Sequence, residues 1–373
     1  CTPIANDRPE RSAVALFDEG TTIVPAPRRR MSRRTTVGVW ALTVALFALL
    51  ALTVLPTSFV IQRPGPVFNT LGSVQNSDGD EVPLISVDGA QTYPTAGALD
   101  LLTVQVVGSR ERTPSWFELA LAWFDPSKAV LPVDQVFPAG QTTEQRNQES
   151  AVMMVDSQKE ATAAALTELG YDVKPMVRVY SLTDDSAAQG ILQEGDVIRA
   201  ANGTPITDTP ALREIINAGD GAPVDLTVER DGQTLDETIT PQASTTDGET
   251  VWLIGVSTMH DYDFPIQVTI QLDNVGGPSA GMMFALGIID TLTDGELNGG
   301  ERVAGTGTID AAGTVGPIGG IRQKMFGAVD AGDTWFLAPA DNCDEVVGHI
   351  PDGLRVFKVS TLDDALGVLS AIR

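Results

Sequence analysis

Two residue types that often carry chemistry are almost missing from this chain. Its only cysteines are Cys1 and Cys343, and its only histidines are His260 and His349. Two cysteines cannot build a disulfide framework. Clustered Cys/His ligands for a structural zinc are also absent, so no metal is expected. Lysine is scarce, with five in 373 residues, and acidic groups outnumber basic ones 49 to 24. A net charge of -25 argues against a nucleic-acid partner, which needs a basic face. Acidity at this level reads as a soluble, self-repelling surface. No G-x-x-x-x-G-K-[ST] pattern occurs, which argues against a nucleotide-driven motor in this sequence. No cofactor is expected.

What is present begins with one long apolar run. Residues 37 to 55, VGVWALTVALFALLALTVL, carry no charge and are long enough to span about 30 Å of hydrocarbon as a helix. Arg28, Arg29, Arg30, Arg33 and Arg34 precede the run, and Arg63 is the nearest basic residue after it. This asymmetry predicts a cytoplasmic N-terminus, with residues beyond about 56 on the other side of the membrane. The lipid bilayer is therefore an expected partner. The alternative is a cleaved signal peptide, but TVLPTSFVIQ offers no good small-x-small site. Residues 1 to 36 read as a disordered cytoplasmic tail. The first 30 precede Met31, and whether they are native is open.

A hydrophobic content of 43% over this length fits two or three domains. Residues 57 to 170 form an N-terminal extracytoplasmic region. In it, Pro64-Gly65-Pro66 reads as a breaker. VPLISVDG and ALDLLTVQVVG read as strands, and SWFELALAWF as a short helix. ESAVMMVDSQKEATAAALTELG reads as a helix stopped at Gly170, with Asp156 or Ser157 capping its second half. Residues 171 to 243 have another texture: strand, turn, strand, turn, helix, then a hairpin turning at Asp231-Gly232. Residues 244 to 373 form the last domain. Its leading strands come from WLIGVSTM and FPIQVTIQL, or from about 95 to 170 with the middle module inserted; both arrangements are open.

The last domain holds one hydroxyl in an unusual setting, DNVGGPSAGMMFALG. Ser279 stands between a Gly-Gly-Pro turn and a strongly apolar helix. A helix N-cap is one reading. A nucleophile on a tight turn is the other, with Gly276, Gly277, Pro278 and Ala280 shaping the turn and the oxyanion donors. Further on, GPIGGIRQK leads Lys324 into a helix rich in small and apolar residues. A lysine partly removed from water favours its neutral amine, which can take a serine's proton without any histidine. A His-based triad through His260 or His349 has no motif to support it. Asp290 and Asp294, near the end of the helix after Ser279, read as solvated carboxylates.

Two resemblances follow from these residues. Ser186-Ala187-Ala188, ILQEGDVIRAANG and LTVERDG resemble a PDZ domain, which implies binding of an extended peptide by strand addition. The peptide-binding residues this implies are Val177, Val179, Leu212 and Ile216. GGPSAG followed by TGTIDAAGTVGPIGGIRQK resembles the proteolytic domain of Lon proteases, from about Asp273 onward. That resemblance implies Ser279 as nucleophile, Lys324 as general base and Thr306, in GTGTID, as a supporting residue. Many Lon proteins have Thr-Gly-Glu where this chain has Thr306-Gly307-Thr308. Anchor, PDZ-like module and Lon-like domain together resemble the bacterial YlbL-like, PDZ-containing Lon-type proteins. The fold class expected is α+β: a Lon-type proteolytic domain with a β-rich PDZ-like module, preceded by one transmembrane helix. The resemblance implies an ATP-independent serine endopeptidase acting on polypeptides outside the cytoplasm, and it allows a homo-oligomer. The competing reading is a non-catalytic, membrane-anchored PDZ peptide-binding or scaffold protein.

Overall fold

The computed structural model describes residues 32–76, 79–138, 140, 142–183, 185–246, 249–272 and 275–372. Most of the expected N-terminal tail, and the Asp273-Asn274 start of the Lon-like stretch, lie outside the described residues. The chain divides into two compact units at Val54/Leu55. Of the first, helix α1 (Arg33–Val54) is described. Among the described residues, this is the one helix long and apolar enough to cross a membrane.

The second unit contains two six-stranded sheets. The first has the order β13-β12-β9-β2-β1-β3, with β1 Phe59–Asn69, β2 Ala98–Val107, β3 Ala129–Pro132, β9 Arg302–Gly305, β12 Trp335–Pro339 and β13 Arg355–Val359. Strands β2, β9, β12 and β13 run parallel, and β1 is antiparallel to both β2 and β3. Buried parallel strands need apolar residues on both faces. LDLLTV in β2, VAG in β9 and FLAP in β12 supply them, and Val303, Ala304, Leu99 and Leu337 are fully or almost fully buried.

Pro64-Gly65-Pro66 does not break the chain as the sequence predicts. It forms a bulge inside β1, between Pro64 and Val67. Bulges accept proline and glycine because the ladder is interrupted there. A Cβ at Gly65 would lie 2.3 Å from Thr103 Oγ1, so only glycine fits so close to β2.

Two helices flank the site to come. Helix α3 (Thr143–Glu168) is continuous; its N-cap is Thr142, in a capping box with Gln145. No second cap lies at Asp156 or Ser157, since Ser157 is buried in mid-helix. Helix α5 (Gly281–Leu292) packs against α3 and buries Met282, Met283, Phe284, Leu286 and Ile288 completely. Each such side chain contributes about 1.5–3 kcal/mol of burial free energy, so α5 is anchored along its length. Asp290 on α5 is fully buried rather than solvated, and its Oδ1 accepts the Leu297 N–H at 2.7 Å.

The second sheet lies wholly between α3 and α5 in the chain. Its main path is β7-β6-β5-β4-β8, with β4 Lys174–Leu182, β5 Val197–Ala201, β6 Val224–Arg230, β7 Gln233–Ile239 and β8 Val256–Asp263. Helix α4 (Thr209–Ala218) covers it. The β6–β7 hairpin turns at Asp231-Gly232, both with positive φ, as a two-residue hairpin requires. Sequence texture draws this module's end at 243. The sheet instead runs on through β8, because Val256–Asp263 pairs with β4 over its whole length. The chain then returns to the first sheet's surroundings, where Gln267–Ile270 pairs with Ile85–Asp88. Strands from before and after the second sheet thus build the first sheet together.

Candidate active site

Ser279 ends the Gly-Gly-Pro turn, two residues before α5. The N-cap of α5 is Ala280, without a side-chain cap bond, so the N-cap reading of Ser279 does not hold. Its hydroxyl instead meets Lys324, whose Nζ lies 2.7 Å from Ser279 Oγ. Lys324 stands in the second turn of α6 (Ile321–Ala331), which packs on β1 and β2. The same Nζ donates to Thr306 Oγ1 at 2.8 Å. Thr306 follows β9 directly, is fully buried, and donates its hydroxyl to Ser279 O at 3.0 Å. The Gly307 N–H also donates to Ser279 O, at 2.9 Å. The serine backbone is therefore pinned by the segment that holds the lysine.

The electrostatics follow from burial. Lys324 is 1% exposed, and among the described residues it forms no ion pair with a carboxylate. Desolvation without a compensating charge disfavours the ammonium and pushes Lys324 down to about 7. About half of such a lysine is neutral at pH 7, with its lone pair beside a hydroxyl it already contacts.

Helix α3 holds the other side of the turn, and nothing in the sequence points to this. Ser157 Oγ donates to Pro278 O at 3.0 Å, and the Gly277 N–H donates to Ser150 O at 2.8 Å. A Cβ at Gly276 would come within 2.8 Å of Ser150 Cβ, so the turn lies directly on the helix. The bond to Ser150 takes Gly277 out of the set of oxyanion donors that the sequence suggests. Among the described residues, Ser279 and Ala280 spend their backbone N–H groups on no acceptor. Beside Ser279 opens a cavity of about 380 Å³, lined by Phe68, Leu101, Leu102, Met154 and Val275.

One turn further along, α3 reaches the second sheet. Tyr262 Oη on β8 donates to Glu160 Oε1 at 2.7 Å, and the Ala311 N–H donates to Glu160 Oε2 at 2.7 Å. Lys159 pairs with Asp261 on β8. Glu160 therefore touches both the second sheet and the loop that joins β10 (Thr308–Ile309) to β11 (Val315–Gly316).

The remaining sequence candidates stand elsewhere. His349 is exposed, with Nδ1 near Val347 O, and His260 lies on β8 opposite Val177. Val177, Val179, Leu212 and Ile216 do not line a groove: they are at most 3% exposed and form the second sheet's core with Val224 and Leu226. Strand β4 is also interior, between β5 and β8, so it has no free edge for an added peptide. Among the described residues the edge strand on that side is β8, whose Asp261-Tyr262 end is held by Lys159 and Glu160 of α3. It runs beside α4, where Thr209 and Thr258 hydroxyls meet at 2.9 Å.

Comparison with known proteins finds two kinds of domain, whose limits cross those of the sheets. Residues 252–371 match the family model of the Lon protease (S16) C-terminal proteolytic domain, and residues 140–240 match that of the PDZ domain. The PDZ match begins close to the start of α3, although α3 packs on α5 of the first sheet's layer. Lon protease 1 of Sorangium cellulosum is 40% identical over 93 residues, which is 24% of this chain and 11% of that protein. Lon protease 1 of Bacillus subtilis is 35% identical over 108 residues, which is 28% of this chain and 14% of that protein. The matched part is thus a small share of these relatives' length. The PDZ domain of an SdrC-like protein of Listeria monocytogenes aligns at 23% identity over 22% of this chain and 85% of that one, with a TM-score of 0.20. A serine–lysine contact at the start of an apolar helix, in the segment that matches Lon proteases, and a separate sheet that matches PDZ domains point the same way: the chain combines a Lon-type proteolytic domain with a PDZ domain.

Proposed function

We infer that this protein is a membrane-anchored serine endopeptidase that works through a Ser279–Lys324 dyad without ATP. The observation that carries the reading is the 2.7 Å contact between Ser279 Oγ and the Nζ of Lys324, a buried lysine with no counter-charge among the described residues. One amine hydrogen is held by Thr306 Oγ1, which leaves the lone pair free to face the serine hydroxyl. Ser279 gives its proton to that amine as Oγ attacks a peptide carbonyl. Negative charge on the former carbonyl oxygen falls to the Ser279 and Ala280 N–H groups. The protonated Lys324 then returns the proton to the leaving amine. Water, deprotonated by the same lysine, releases the acyl group.

The cavity beside Ser279, mainly apolar but with Thr103 and Gln105 in its wall, suits an apolar residue next to the cleaved bond. The free edge of β8 beside α4 suits an extended polypeptide added as a strand. The sequence holds no nucleotide-binding loop, so substrates are unfolded or flexible chains. Arginines before α1, and few basic residues after it, support a cytoplasmic N-terminus and a catalytic unit on the far side.

The test is casein cleavage by the detergent-solubilised full chain without ATP, run beside Ser279→Ala and Lys324→Ala. Cleavage by the parent alone is expected. Cleavage by either variant removes the dyad. If the parent also fails to cleave when reconstituted in membranes, the PDZ-scaffold reading stands instead.

A further inference from the structure

Helix α2 (Trp116–Trp123, WFELALAW) breaks the usual pattern of a surface helix. One side, Leu119 and Ala122, packs on Ile61 of β1. The opposite side should be polar, because a surface helix is amphipathic. Here it is not. Trp116, Phe117, Leu121, Trp123 and the following Phe124 are 37–89% exposed. The helix's single charged residue, Glu118, is taken up by the cap, where it accepts the Ser115 N–H at 2.7 Å. Five large apolar side chains on nine consecutive residues form an exposed patch that a soluble surface seldom tolerates.

The chain itself says what lies near this patch. Helix α1 ends at Val54, and only Leu55 and Pro56 separate it from Thr57. Thr57 is buried and fastened to the segment that leads into α2. Its N–H donates to Thr113 Oγ1 at 3.1 Å, and its Oγ1 donates to Pro114 O at 2.8 Å. Ser115, the N-cap of α2, comes next. Three residue steps span at most about 10 Å. The start of α2 is thus tied, by two hydrogen bonds and a three-step tether, to the end of the membrane-spanning segment.

We propose that α2 is an interfacial helix, with Trp116, Phe117, Leu121, Trp123 and Phe124 seated in the headgroup and upper acyl region of the bilayer that α1 crosses. This rests on the membrane-anchored reading above. Tryptophan, phenylalanine and leucine are the residues such helices use, and indole rings concentrate at that depth. Exposed Arg112, just before the helix, offers a charge that suits lipid phosphate. The consequence is a second attachment. A single span leaves its soluble part free to swivel on a tether, whereas an inserted α2 fixes which side of the protease faces the membrane. Apolar contact also holds an acidic protein against a surface that its net charge of -25 does not favour.

The experiment uses the full chain in vesicles of phosphatidylcholine brominated high on one acyl chain, where bromine quenches nearby indoles. Flotation with the vesicles and quenching of the parent report the anchor, which carries Trp40. Trp40→Phe then leaves Trp116, Trp123, Trp252 and Trp335. The proposal expects Trp40→Phe to remain quenched, and the quenching to vanish when Trp116→Phe and Trp123→Phe are added. Casein cleavage confirms that each conservative variant is folded. Flotation without quenching of Trp40→Phe overturns the interfacial helix and leaves the anchor intact. Failure of the parent to float overturns both. Shielding of Trp116 and Trp123 from aqueous iodide without quenching by bromolipid places another protein copy on the patch, and also overturns the proposal.

Discussion

The protonation state of Lys324 gives the sharpest prediction of the dyad. An ordinary lysine near 10.5 is almost wholly charged at pH 8, and its neutral fraction rises about tenfold for every pH unit. Burial without a carboxylate partner brings Lys324 to about 7. Its neutral fraction is then about one tenth at pH 6 and about nine tenths at pH 8. The single-turnover acylation rate of an activated ester should therefore rise about tenfold between pH 6 and pH 8 and be flat above pH 8. An ordinary lysine acting as base predicts about a hundredfold rise over the same interval, with no plateau before pH 10. Lys324→Arg should abolish the rate at every pH, because a guanidinium keeps its proton. A profile still climbing tenfold per unit at pH 9, or activity surviving in Lys324→Arg, refutes the argument from burial.

Three further outcomes follow from named contacts. Ser157→Ala removes the bond to Pro278 O; the loss of about 1 kcal/mol of turn positioning should lower kcat about fivefold with KM little changed, measured by steady-state kinetics. Gly276→Ala drives a Cβ to within 2.8 Å of Ser150, so the turn must shift and peptidase activity should fall at least tenfold while thermal unfolding changes little. Asp333 lies buried beside Asp100, with Arg302 bridging to both, and burial followed by repulsion from Asp100 pushes it up to about 7. The folded state then binds more protons than the unfolded state between about pH 4 and 7, so this group's contribution to stability falls as pH rises through that window. Asp333→Asn should accordingly raise Tm most at pH 8, less at pH 5 and hardly at all below about pH 4, read by calorimetry.

How much of this was legible in the sequence depends on how far apart the contacting residues lie. Ser279, Thr306 and Lys324 each sit in a glycine-marked local motif, and local motifs survive reading one residue at a time. The hairpin at Asp231-Gly232 was legible for the same reason. Ser150 and Ser157 were not. Nothing in AVMMVDSQKE marks a serine that will meet a turn more than a hundred residues later, and a mid-helix serine looks like a cap when its buried neighbours are unseen. Val177 and Leu212 carried the right pattern for a groove and for a core alike, and only the position of β8 in the sheet decides between them. Asp290 looked solvated because it lies near the end of its helix, yet the chain folds Leu297 back onto it. The apolar outer face of α2 was visible as letters, while its exposure depended on which side β1 covers.

The placement of the second sheet between α3 and α5 also orders events during synthesis. Strand β2 and strand β9 are neighbours in the sheet, but Ala98 pairs with Arg302 across some two hundred residues. Such distant pairings form late, whereas the intervening sheet closes on mostly nearer contacts. A growing chain can complete that sheet while the protease is still only β1, β2, β3 and α3. Ser279 then arrives before its proposed base, since Lys324 is made 45 residues after it. A ribosome-bound or prematurely ended chain thus carries a folded second sheet and an incomplete proposed dyad. On the proposed mechanism, hydrolysis waits until the last strands have docked, when the chain's own segments are no longer unfolded.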